Sequence, residues 1–303
     1  MRDPLDDLVT LGSLPLPDAV ARLHEMGDEE VAARLGSTAT ADTPETFRRL
    51  PWSDAPPYAH TAHAFGFVSA GRAGDRVDVV QAGTIEADDT LRGARVNVTL
   101  DELRIADYPG RGRHDILFDF AAQNQVAGDR VEHVHFNQVY RGIEGGSVGV
   151  SGYPVFVGLT VGSEGLAFRC ATVNVKNEDD EALLEMLDAD VFRAGLQLVS
   201  TLQPAIAPLA GMAVGLTRTL ATRHRNVAVQ SFSLGLDFST RTGGARLAEG
   251  LYVAVQIPER DKLVWSWDQW TYDRRAGRIV NRQEPETLIP YNYLAFGVAR
   301  HHG

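Results

Sequence analysis

The chain has 303 residues, a formal net charge of −11 at neutral pH, 44% apolar and 23% charged residues. That composition excludes disorder over most of the length and supplies enough chain to bury a core without covalent staples. The acidic balance repels phosphate backbones, which disfavours nucleic-acid partners.

Cys170 is the single cysteine, so no disulfide forms within the chain. This fits a reducing compartment. The start, Met1-Arg-Asp-Pro-Leu-Asp-Asp7, is acidic and lacks the apolar run of a signal peptide, so a cytoplasmic location is the expectation. Lys176 and Lys262 are the only lysines among 29 basic residues, the usage of a GC-rich bacterial genome.

The first fifty or so residues read as helical. Val20, Leu23, Met26, Val31 and Leu35 fall at helical spacing, with Gly27-Asp28 interrupting them. Two short helices are predicted, Asp28 capping the second and Glu29 and Glu30 in its first turn. A further helix start lies at Thr43-Pro-Glu, and Pro51 and Pro56-Pro57 break the chain. Residues 1–57 are therefore expected to form a helical N-terminal arm, and 58–303 the main β-rich domain.

From about Ala62 to Lys176 the pattern is that of strands. Segments 76–80, 95–100, 115–120, 131–140, 153–161 and 166–175 are the candidates, separated by Gly, Asp and Pro turns. Residues of about 178–225 break the pattern. Acidic residues open a helix there, and Leu183, Leu184 and Leu187 form its stripe. A second and third helix come after it, interrupted by Pro204 and Pro208. Strands resume over 229–238, 251–257, 263–270 and 288–298, with a hairpin loop at 272–277. The fold expectation is α+β and β-dominated: a β-sandwich-like body with an inserted helical segment and a helical N-terminal arm.

Four constellations could carry chemistry. Glu132-His-Val-His-Phe-Asn137 puts His133, His135 and Asn137 on one strand face. Two imidazoles pointing the same way can hold a divalent metal, with His114 or Asp115 upstream as further ligands. The plain alternative is a half-exposed strand whose polar face holds two histidines. Second, Asp88, Asp89, Asp107, Asp115 and Asp119 could gather calcium at one end of a sandwich, or simply be solvated turn residues. Third, Ala194–Thr217 carries no charge and is nominally long enough to cross a bilayer, but its glutamines, prolines and glycines suit buried helices better. Fourth, Trp265, Trp267 and Trp270 form either a binding surface or core.

Cys170 sits in an alternating run and reads as a small buried thiol. The paired arginines Arg72/Arg76 and Arg111/Arg113 read as turn residues. Phosphate-binding loops, hydrolase elbows and Cys-x-x-Cys pairs are missing. The leading expectation is a non-enzymatic binding or assembly module acting through a protein partner or self-association. The alternatives are a metal-dependent enzyme built on His133 and His135, and a membrane-acting protein that releases 194–217.

Overall fold

Apolar–polar alternation in some segments and continuous apolar runs in others make this chain a stack of sheets. The computed structural model describes residues 8–36, 55–126, 130–180, 184, 196–197, 216–239 and 244–302. It is β-dominated with a small helical content, an α+β architecture.

One sheet has five strands: β5 (Arg113–Val126), β6 (Arg130–Ile143), β8 (Gly165–Val175), β10 (Asn226–Asp237) and β11 (Ala245–Arg246), in the order β11-β10-β8-β5-β6. The other has seven. These are β1 (Ala62–Ser69), β3 (Val80–Gln81), β4 (Arg95–Arg104), β7 (Ser147–Thr160), β9 (Leu196–Gln197), β12 (Gly250–Ile257) and β15 (Tyr293–Arg300), in the order β3-β1-β12-β15-β4-β7-β9.

The two sheets face each other across an aromatic layer. Phe120 of β5 meets Phe296 of β15 at 5.2 Å and Phe156 of β7 at 6.1 Å between ring centres, and Phe168 of β8 meets Phe296 at 5.6 Å. This is the sandwich core.

The far face of the seven-stranded sheet is covered by a third layer: β2 (Arg76–Asp78), β13 (Trp270–Asp273) and β14 (Arg278–Asn281), in the order β14-β13-β2. Val77, Trp267, Trp270 and Ile279 pack there against Val253, Val255, Tyr293 and Ala295. Gly66 of β1 makes room for this layer. A Cβ at that position would lie 2.9 Å from the Trp267 ring and 2.7 Å from Val79 Cγ1.

The N-terminal arm contains the expected helices, α1 (Leu16–Glu25) and α2 (Glu29–Gly36). Leu16, Leu23, Met26, Ala32 and Leu35 join the sandwich core. Asp28 does more than precede α2: its Oδ2 accepts from Tyr58 Oη at 2.8 Å and Gly110 N at 3.4 Å, tying the arm to the body. The helix start expected at Thr43 lies outside the described residues.

Two strand expectations need correction. Residues 263–270 are a turn and a 3-10 segment (Trp267–Gln269) leading into β13, because the tryptophans fold inward as a cluster instead of alternating faces. The last strand begins at Tyr293, later than 288, because Pro290 precedes it in an irregular stretch. The 272–277 region is a hairpin, β13 to β14, as expected.

Of the segment 178–225, the structure describes a 3-10 turn at Glu178–Asp180, Leu184, the short strand β9 and helical residues 216–222. Leu184, Leu216, Leu220 and Ala221 cover Leu117, Val139, Val173 and Ala228 on the outer face of the five-stranded sheet. Most of 194–217 lies outside the described residues. Among the described residues, no helix is long and apolar enough to cross a membrane.

Candidate functional site

The outer face of the five-stranded sheet carries the residues singled out on β6. The ladder pairs Asp119 with Asn137, Ala121 with His135 and Gln123 with His133 across β5 and β6. Period-two alternation sends Phe118, Phe120, Val134 and Phe136 into the core, and Asp119, His133, His135 and Asn137 outward. His133 and His135 therefore share a face as expected, but their surroundings differ. His133 is exposed beside Gln123 in a shallow pocket. His135 is buried.

Helical residues 216–222 place Thr217 over this face, where it is wholly buried. Thr217 Oγ1 donates to Asp119 Oδ2 at 2.6 Å and accepts from Asn137 Nδ2 at 3.0 Å. His135 Nδ1 lies 3.5 Å from Asp119 Oδ1. The donor set is thus Asp119, His135 and Asn137, held by Thr217. Thr217 escaped sequence reasoning because it is the last residue of an uncharged stretch. The sequence marks Asp119 as a calcium candidate, and only strand pairing brings it beside His135.

The other suggested ligands are elsewhere. Asp115 shares the outward face but pairs with Arg141 at 3.2 Å and Arg113 at 4.0 Å, an ion pair two register steps from Asp119. His114 points to the opposite side, buried against Tyr108 with Nδ1 3.3 Å from Asn174 Oδ1. The five aspartates do not gather. Asp88 caps a 3-10 turn through Thr90, Asp89 pairs with Arg92, and Asp107 lies near Asp28 and Glu144. Among the described residues, no group of three His, Cys, Asp or Glu side chains is placed to hold a metal.

Burial pushes the Cys170 thiol well above its ordinary pKa, which removes it as a nucleophile. The four turn arginines each face a carboxylate: Asp78, Asp273, Glu30 and Asp115.

A second region is the open side of the sandwich, a groove of about 990 Å³ between β1 and β10. Strand β3 covers β1 only at Gly66 and Phe67, with one more bond from Ala82 N to Phe65 O. The ladder alternation then turns the N–H and C=O of His63 to the same open side. On the facing edge, among the described residues, β11 pairs β10 at Leu236 and Asp237 and Thr10 bridges Ala228. The floor is aromatic: His63 packs 4.9 Å from Phe232, and Phe65 lies 5.8 Å from Phe232. Burial lowers the His63 pKa to about 4, so the ring is neutral at physiological pH.

The tryptophans divide between core and groove. Trp267 and Trp270 are buried, and the half-buried Trp265 stacks on Trp270 at 6.4 Å. Trp265 and part of Trp267 line the groove, so the expected tryptophan surface reduces to its rim, while Trp270 is core. Sequence reasoning missed the neighbouring Leu263 and Val264, which are 96% and 73% exposed and form an apolar tip whose Leu263 lines the groove. Their position inside an apparent strand hid them.

No protein-family model, curated protein or solved structure matches the chain.

Proposed function

We propose that this protein is a binding and assembly module that acts through protein–protein contacts at the open side of its sandwich. The observation that carries the reading is the coincidence of two incompletely covered strand edges, β1 and β10, with an aromatic groove and an exposed apolar tip. A strand edge offers backbone N–H and C=O groups as a template for another extended segment. The groove floor supplies apolar contact for its side chains. Large aromatic area at the centre of a patch is also where binding free energy concentrates.

The occupant is a second copy of this chain. The same face carries both the apolar tip Leu263-Val264 and the groove that would receive it, and a two-fold contact requires such self-complementarity. The test is the solution mass across a concentration series. Wild-type protein is expected to dimerise, and Leu263→Asp with Val264→Asp to remain monomeric while still folded by circular dichroism. A wild-type chain that stays monomeric throughout the series would sink the reading.

A further inference from the structure

We propose that Asp119, His135 and Asn137 form a site for one divalent transition-metal cation of the zinc class, independent of the assembly groove. Asp119 Oδ1, His135 Nδ1 and Asn137 Oδ1 are all buried and have no hydrogen-bond partner among the described residues. All three residues are at least nine-tenths buried. Buried polar atoms are nearly always paired, so three such atoms on adjacent rungs of one strand pair point to something they hold in common.

Thr217 explains why these particular atoms are free. It engages the other end of both side chains, Asp119 Oδ2 and Asn137 Nδ2, and so turns the two Oδ1 atoms away from itself. This is the orientation that a neighbouring group imposes on metal ligands.

The spacing agrees. At 3.5 Å, His135 Nδ1 and Asp119 Oδ1 are beyond the ordinary N–H···O range. Two ligands of a tetrahedral ion with bonds of about 2.1 Å stand about 3.4 Å apart.

Charge makes the same demand. Asp119 is fully buried, and among the described residues the basic group within 4 Å of it is the His135 imidazole. A buried carboxylate needs a cation. One imidazole, one carboxylate and one amide oxygen suit zinc or manganese better than soft metals, since no thiolate takes part. His133, exposed one rung further along, is not a ligand.

The test uses untagged full-length protein, stripped with chelator and titrated calorimetrically with zinc or manganese chloride. One ion per chain is expected. His135→Ala should weaken binding by at least about tenfold, Thr217→Val by about tenfold through lost orientation alone, and His133→Ala should change nothing. Asn137→Asp covers the case in which His135→Ala fails to fold: a second carboxylate should tighten binding and make the melting temperature rise more steeply with metal than in the wild type. Three results would overturn the proposal: no stoichiometric uptake, uptake lost in His133→Ala but kept in His135→Ala, or unchanged affinity in Asn137→Asp. In each, a bridging water or an imidazolium–carboxylate pair accounts for the cluster instead.

Discussion

The outer face of the five-stranded sheet and the open side of the sandwich are built on opposite terms. In the outer-face cluster of Asp119, His135 and Asn137 the polar groups are buried side chains, and Thr217 orients Asp119 and Asn137. On the open side the polar groups include backbone edges, and the aromatic floor of His63, Phe65 and Phe232 is flanked by polar and charged side chains such as Gln81, Arg246 and Glu259. The first arrangement suits a small, charged, geometrically demanding ligand. The second suits an extended chain that brings its own backbone partners. The same alternating strands produce both: β5 turns Phe118 and Phe120 to the core and Asp119 to the outer face.

The largest effect should come from the core that supports both regions. Phe120 touches rings from β7, β8 and β15, and Phe120→Ala should cost about 3–5 kcal/mol in denaturant unfolding. A loss below about 1 kcal/mol would mean that the two sheets do not share this core. Next, Gly66→Ala forces a methyl against Val79 and the Trp267 ring. Overpacking of this kind costs about 1–3 kcal/mol, with changed tryptophan fluorescence as its signature.

Thr217→Val is of similar size and sharpens the comparison. It leaves Asp119 Oδ2 and Asn137 Nδ2 buried without partners, at about 1–3 kcal/mol. The groove substitutions Leu263→Asp and Val264→Asp should stay within about 0.5 kcal/mol, because both residues are exposed. Equal effects on stability from the two regions would erase the distinction drawn between them.

The smallest effect is a pH dependence. Burial, with Glu144 and Asp28 nearby, raises the Asp107 pKa to about 7, above its ordinary 3.8. The folded state then holds a proton that the unfolded state has lost, so this group's contribution to stability falls as pH rises from about 4 to about 7. Burial lowers His60 and His63 to about 4. For these the unfolded state binds the proton more readily between about 4 and 6.5, so their contribution rises with pH. The two trends oppose each other in the wild type. Asp107→Asn should gain stability above about pH 7 and steepen the loss below about pH 6.5; unchanged slopes would contradict the assignment.

The sheets were legible where alternation was clean. Strands 95–104, 130–143, 165–175 and 226–237 come from period-two patterning, and so does the shared face of His133 and His135. The site itself was not legible. Asp119 reaches His135 through strand pairing, and Thr217 reaches Asp119 and Asn137 from 98 and 80 residues further along the chain. No local spacing encodes either contact. Trp265, Trp267 and Trp270 misled because ring-on-ring packing overrides strand alternation in that segment.

The most direct test of the assembly reading is hydrogen exchange of residues 61–66, measured on dilute and concentrated protein. If a second copy covers the β1 edge, exchange there slows on concentration, and Leu263→Asp with Val264→Asp abolishes the slowing. Identical exchange at both concentrations, with a solution mass that has doubled, would place the contact elsewhere on the molecule and contradict the account.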